Sequence, residues 1–79
     1  MTVSAYIMCK VFMGYIQDVV DALRELEAAT SITVTTGDYD IIARFDVPNL
    51  EALYDLTVNA IGKIKGMESV TTAVVEKEF

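Results

Sequence analysis

The spacing of apolar residues changes along this chain between the period of a strand and the period of a helix. Residues 3–12 are apolar on both alternating sets, with Lys10 the one charged residue among them. That pattern is typical of a strand covered on both faces. Between Tyr15 and Ala29 the period becomes helical, and one apolar stripe faces away from the acidic residues. The stripe consists of Ile16, Val19, Val20, Leu23 and Leu26. A strand followed by an amphipathic helix therefore opens the chain.

The central segment predicts a β-hairpin. The sequence SITVTT, Ser31 to Thr36, is rich in β-branched residues and alternates as a strand should. Gly37 supplies a turn residue that can take positive φ. The residues from Tyr39 to Val47 form the third predicted strand. Because the connection is short, we expect these two strands to pair antiparallel.

The last third of the chain repeats the helix and strand patterns. Pro48 ends the third strand, Asn49 is a candidate helix cap, and Gly66 closes the helix. The apolar stripe of this helix is Leu53, Leu56, Ala60, Ile61 and Ile64. Residues from Val70 to Phe79 alternate as a fourth strand. The order predicts one α+β domain over residues 1–79, the ferredoxin-like βαββαβ plait. In that fold right-handed crossovers place both helices on one face of a four-stranded antiparallel sheet.

The other face of that sheet is left without a cover. A chain of 79 residues buries only about 60% of its extended surface when it folds alone, yet 53% of its residues are hydrophobic. The first strand is apolar on both sides, and Ile42 points away from the set formed by Ile41, Ala43 and Phe45, so we expect an apolar patch on the open face. Two sheets packed face to face would cover it. The pattern predicts a dimer through the sheets.

Composition argues against several classes of function. The net charge of −6 and the lack of a basic stripe disfavour direct binding of nucleic acid. With no histidine and a single cysteine, Cys9, we expect no metal site, no cofactor and no internal disulfide. No apolar run approaches the ~20 residues of a membrane span, and the first residues do not resemble a signal peptide. We therefore expect no membrane partner and a cytoplasmic protein.

Two carboxylates in the central turn are the candidates for a site. Asp38 and Asp40 flank Tyr39 at a turn that leads into a buried strand. One interpretation is turn chemistry alone, since Asp tolerates such positions and caps local amides. The other is a binding site, in which Gly37 lets the backbone approach a ligand, the turn amides receive a carboxylate and an Asp receives an ammonium group. A zwitterion such as an amino acid would match both ends.

The same residues carry a resemblance to a known family. The segment TTGDYDIIARFDVPNLEAL, Thr35 to Leu53, and the segment GMESVTTAVVEKE, Gly66 to Glu78, resemble the ligand-binding (RAM) domain of the Lrp/AsnC transcription regulators of prokaryotes. The resemblance covers Val3 to Phe79. It implies homo-oligomers in which dimers, built on sheet contacts, assemble commonly into octameric rings with amino acid effectors bound between dimers. Family members usually carry a helix-turn-helix domain at the N terminus, so this chain resembles a stand-alone form.

The resemblance also implies which residues meet the effector. They lie in the central turn, at the end of the second strand and on the fourth strand, with Asp40 the first choice for the ammonium contact. The implied ligand-binding residues are Val34, Gly37, Asp38, Tyr39, Asp40, Thr71, Thr72 and Ala73, with Leu50 a weaker candidate. Because Ala73 is small, the resemblance does not fix the side chain of the effector.

Three functions are compatible with these patterns. The leading hypothesis is a non-enzymatic sensor that binds an amino acid between subunits and modulates transcription by associating with full-length Lrp/AsnC-type regulators. The second is a small dimeric enzyme of the cofactor-independent oxygenase type, whose pocket would draw on Tyr6, Tyr15 and Tyr54. The third is an ACT-like amino-acid-binding domain, in which the loop around Gly14 binds the ligand instead.

Overall fold

Four strands and two helices alternate along the chain as the apolar periods predict. The computed structural model describes residues 1–79. The elements are β1 (Val3–Val11), α1 (Ile16–Arg24), β2 (Ala29–Val34), β3 (Ile41–Val47), α2 (Leu50–Asp55) and β4 (Met67–Val74). A π-helical turn, Leu56–Ala60, and a 3₁₀ turn, Ile61–Lys63, continue α2. The strands form one antiparallel sheet in the order β2-β3-β1-β4, which confirms the predicted ferredoxin-like plait. None of these helices is long and apolar enough to cross a bilayer.

The boundary between α1 and β2 differs from the sequence-based expectation. The helix ends at Arg24, not at Ala29, and β2 begins at Ala29. The amide of Asp46 donates to the carbonyl of Ala28 at 3.0 Å, and Ala29 pairs with Phe45. Alanine favours a helix by propensity, but pairing with β3 decides the conformation here.

The fourth strand also lies earlier in the sequence than expected. It begins at Met67, directly after Gly66, and ends at Val74. The amide of Val75 still donates to the carbonyl of Ser4 at 2.9 Å, and residues 76–79 then leave the sheet. The predicted strand was therefore right in kind but wrong at both ends.

The core lies between the sheet and the helices. Alternate residues of β1 and β3 point toward the helices and have no exposed surface: Ala5, Ile7, Cys9, Ile41, Ala43 and Phe45. Val19 and Leu23 from α1, with Leu53 and Ile61 from the second helical segment, pack against them. Burial of each large apolar side chain contributes about 1.5–3 kcal/mol. The predicted helical stripes therefore face the core, as expected.

Two local signals in the sequence are confirmed at the ends of the second helical segment. Oδ1 of Asn49 accepts a hydrogen bond from the amide of Ala52 at 2.8 Å, a cap that stabilises a helix by about 1 kcal/mol. Gly66 has a φ of +93° and packs so closely on Tyr15 that a Cβ would overlap that side chain. The carbonyl of Gly66 accepts from the amide of Phe12 at 2.9 Å. The turn before β4 is thereby fixed against the loop that follows β1.

The open face of the sheet carries a polar network where an apolar patch was expected. Arg44 on β3 lies opposite Tyr6 on β1. Its guanidinium donates to the Tyr6 hydroxyl at 3.1 Å and to Oε1 of Glu78 at 2.6 Å, and it lies 5.5 Å from the centroid of the Tyr6 ring. Only Met8 and Ile42, both half-buried, represent the expected apolar surface on β1 and β3. The expectation of an apolar patch is therefore wrong in part, and a second sheet packed here must accommodate charge.

Candidate functional site

The turn between β2 and β3, residues 35–40, lies at the end of the sheet where β1 finishes. The amide of Thr35 donates to the carbonyl of Asp40 at 2.9 Å, and the Thr35 hydroxyl donates to the carbonyl of Tyr39 at 2.8 Å. Gly37 has a φ of +108° with open space where a Cβ would lie. Glycine is favoured here by backbone conformation and not by crowding. The turn is closed by its own hydrogen bonds, and its tip faces solvent.

Asp40 joins this turn to β1. Its amide donates to the carbonyl of Cys9 at 2.9 Å, and its Oδ2 accepts from the amide of Val11 at 2.8 Å. The β1–β3 ladder ends with the pair Cys9 and Ile41, so the Asp40 carboxylate satisfies a main-chain donor just beyond the ladder. The predicted ammonium contact is thus already an acceptor within the chain. The same bonds explain why β3 begins at Ile41 and not at Tyr39.

Other polar groups of the turn have no partner. The amides of residues 36–39 donate no hydrogen bond within the chain. Asp38 is exposed and makes neither a hydrogen bond nor an ion pair. Unpaired amides in a turn can receive an anion, and a free carboxylate can receive a cation. The turn therefore offers a partner for the carboxylate of an amino acid and a partner for its ammonium group.

The β4 residues of the predicted site lie apart from the turn. Thr71 pairs with Met8 and Ala73 with Tyr6, so both face the open side of the sheet. Since β1 lies between β4 and β3, about 10 Å of sheet separates these residues from the strand that carries the turn.

The remaining predicted residues point toward the other face. Thr72 pairs with Ile7, and Val34 pairs with Ile41, so both share the side that carries the helices. Four surface clefts occur in the chain, and none is lined by any of the eight predicted residues. One chain does not gather these residues into a single pocket.

Leu50, the weaker candidate, lies far from the turn. It lines a cleft together with Val3 at the start of β1, whereas the turn attaches at Val11 at the end of that strand. A strand of this length spans roughly 25 Å. The structure therefore does not bring Leu50 together with the rest of the predicted site.

The loop around Gly14 lies at the same end of the sheet as the turn. It follows Val11 directly, and Val11 is hydrogen-bonded to Asp40. Gly14 has a φ of +89° and open space around it, and Met13 beside it is 98% exposed. The two alternative positions of an amino acid site are therefore neighbours, a proximity that no pattern in the sequence indicates.

The three tyrosines of the enzyme hypothesis lie in three separate places. Tyr6 is on the open face beside Arg44, Tyr15 packs against Gly66, and Tyr54 projects from α2 with 67% of its surface exposed. They do not line a common cavity.

Cys9 lies next to the turn but belongs to the core. Burial raises the pKa of its thiol to about 11, because the thiolate would lose its hydration. At neutral pH the side chain is therefore a protonated thiol, which is a poor nucleophile. Elsewhere in the chain, no three His, Cys, Asp or Glu side chains converge in a way that would hold a metal ion.

Comparison with known proteins relates this sequence and fold to a family. The model of the Lrp/AsnC ligand binding domain matches residues 4–79. The HTH-type transcriptional regulator FL11 from Pyrococcus abyssi is 34% identical over 73 residues, which make up 92% of this chain and 48% of FL11. The chain spans about half the length of the curated relatives that it matches.

Two solved structures share the fold. AsnC from E. coli matches with a TM-score of 0.92 at 23% identity, over 96% of this chain and 52% of that one. The transcriptional regulator NMB0573 from Neisseria meningitidis, solved as an L-Met complex, matches with a TM-score of 0.90 at 17% identity, over 96% of this chain and 51% of that one. From its βαββαβ plait and the family match over nearly all of its length, this chain belongs to the Lrp/AsnC ligand-binding domain family.

Proposed function

We propose that this domain is a non-enzymatic sensor that binds an amino acid, or a similar zwitterion, at the turn of residues 35–40. The observation that carries the proposal is the set of unpaired groups there: the amides of residues 36–39 and the carboxylate of Asp38. Backbone amides suit an anion in a domain of net charge −6 with few spare bases. The curated relatives are named transcriptional regulators, and one structural neighbour holds L-Met.

A second copy of the chain completes the site in this proposal. The turn, Thr71 and Ala73 all lie on open surface, whereas small ligands bind in concave sites that bury most of their area. A neighbouring dimer set against this end of the sheet would supply the missing wall. The expected assembly is a dimer through the sheets that repeats into a ring, commonly an octamer, as the resemblance implies.

Linkage then explains how binding acts on assembly. An amino acid that contacts two dimers binds the assembled form more tightly, so it shifts the equilibrium toward that form. At 100 times its dissociation constant it stabilises the competent state by about 2.7 kcal/mol. Changed assembly would alter association with full-length Lrp/AsnC-type regulators and so modulate transcription.

The test is the mass and melting temperature of the purified domain with each of the twenty standard amino acids. We expect one or a few of them to raise the light-scattering mass. The same amino acids should raise the melting temperature by several degrees in a domain of this size. If no amino acid changes either quantity, and the domain does not associate with a full-length relative, the proposal is wrong.

A matched pair of glycine variants locates the site. Gly37 and Gly14 both have positive φ and open space around them, at +108° and +89°, so an alanine strains the backbone in the same way at either position and meets no steric clash. We expect Gly37→Ala to weaken the response to the amino acid and Gly14→Ala to leave that response unchanged. The reverse result would move the site to the loop after β1.

A further inference from the structure

We propose that Asp40 is a positioning residue, whose carboxylate holds the turn against β1, and that Asp38 is the carboxylate that receives the ammonium group of the ligand. The role of Asp40 concerns the protein without ligand. The role of Asp38 rests on the proposed function.

The hydrogen bonds of Asp40 account for most of its polar groups. Its amide donates to Cys9, its carbonyl accepts from Thr35, and its Oδ2 accepts from the amide of Val11 at 2.8 Å. A hydrogen bond from an amide to a carboxylate is stronger than one to a neutral acceptor. Loss of this carboxylate would leave the Val11 amide without its partner and release the turn from β1. A defect in binding after its removal would therefore not show that Asp40 touches the ligand.

Val11 is a position where the sheet needs such a partner. The register between β1 and β4 shifts between Lys10 and Val11, and the β1–β3 ladder has already ended at Cys9. The side chain of Asp40 thus fixes the last residue of β1 where the regular pairing is interrupted. It also connects the turn to the loop that begins at Phe12.

Asp38 has the opposite environment. It lies two residues earlier in the same turn, is exposed, and accepts no hydrogen bond from the chain. An ammonium group can reach it without displacing an internal contact. The two carboxylates of the turn therefore differ: Oδ2 of Asp40 is held by the amide of Val11, whereas both oxygens of Asp38 are free to bind.

The amide of Val11 tests the role of Asp40 in the ligand-free protein. We expect its proton resonance to lie downfield in the wild type and to move upfield in Asp40→Ala, with hydrogen exchange at Val11 faster by tenfold or more. In Asp40→Asn the side-chain oxygen still accepts a hydrogen bond, so exchange at Val11 should stay near that of the wild type. Equal exchange at Val11 in the wild type and in Asp40→Ala would overturn the positioning role.

Binding across the panel of twenty amino acids tests the role of Asp38. We expect Asp40→Asn to keep affinity within about threefold, and Asp40→Ala and Asp38→Asn each to lose about tenfold or more. Loss in Asp40→Asn with no loss in Asp38→Asn would make Asp40 the ammonium contact instead. If no amino acid binds the wild type, the proposed function and the role of Asp38 both fail, while the Val11 measurement still decides the role of Asp40.

Discussion

Successive residues of β1 and β3 point to opposite faces of the sheet, and the two faces are stabilised by different kinds of contact. Toward the helices, the side chains of the two strands are apolar and have little or no exposed surface, and the chain has no buried polar residue. Toward the open side, Ser4 donates to Asp46 at 2.7 Å, and Arg44 bonds to Tyr6 and Glu78. The first face is complete within one chain. The second is arranged so that a single chain tolerates water there.

This difference bears on where a ligand can bind. Along β1 and β3 the face toward the helices is filled with buried side chains, so it leaves no room for a ligand between these two strands and the helices. The open face and the turn at its end remain accessible, and their polar groups can be matched by another copy. In the proposed sensor, the core would stay unchanged while the assembly varies.

The largest effect that separates the two faces is expected from truncating one residue on each side of β3. Phe45→Ala removes a fully buried side chain, so we expect a loss of about 3–5 kcal/mol in the free energy of unfolding. Ile42, on the open face, is half-buried, and Ile42→Ala should cost clearly less in the monomer. Urea denaturation of both variants measures the two losses.

The same two variants can show whether the difference between the two faces holds in solution. If Ile42→Ala costs as much as Phe45→Ala, and its cost falls on dilution, the open face is covered by another copy in solution. If its cost is small at all concentrations, this face stays in contact with water.

What the sequence predicted well was local. Alternation along β1 and β3 gave the core face, because a period of two fixes which side chains share a face. The Asn49 cap and the turn at Gly37 were likewise predicted from residues that act on their own neighbourhood.

What the sequence did not predict depends on distant residues. Glu78 reaches Arg44 from 34 positions away, and Asp40 reaches Val11 from 29. The periodicity of apolar residues does not indicate such contacts, because they depend on the packing of the whole sheet. Asp40 could be assigned to the turn from the sequence, but its hydrogen bond to the amide of Val11 could not.

An effect of intermediate size is expected at Cys9, which lies on the face toward the helices. It concerns the pH dependence of the free energy of unfolding. Burial raises the pKa of this thiol from 9.0 to about 11. Below pH 9 the thiol is protonated in both states, and its contribution to stability is complete. Between pH 9 and 11 only the unfolded chain ionises, so stability should fall by about 2–3 kcal/mol over that range.

The control for this effect is Cys9→Ala. All other side chains are the same in the two proteins, so the quantity to compare is the difference in unfolding free energy between pH 8 and pH 11, measured with urea. We expect a smaller fall in the variant. An equal fall would mean that water reaches this end of the core face beside Asp40.

The smallest effect is expected on the open face, at the ion pair of Arg44 and Glu78. Glu78→Gln removes the charge that lies 2.6 Å from the guanidinium, while Glu76→Gln removes an exposed charge that makes no ion pair. Exposed pairs contribute little and are screened by salt. We expect Glu78→Gln to lower the melting temperature slightly at low ionic strength, Glu76→Gln to leave it unchanged, and the difference to vanish in about 1 M NaCl. A large loss that persists in salt would mean that the pair is desolvated, which places a second sheet over Arg44 and makes the two faces alike in the assembled protein.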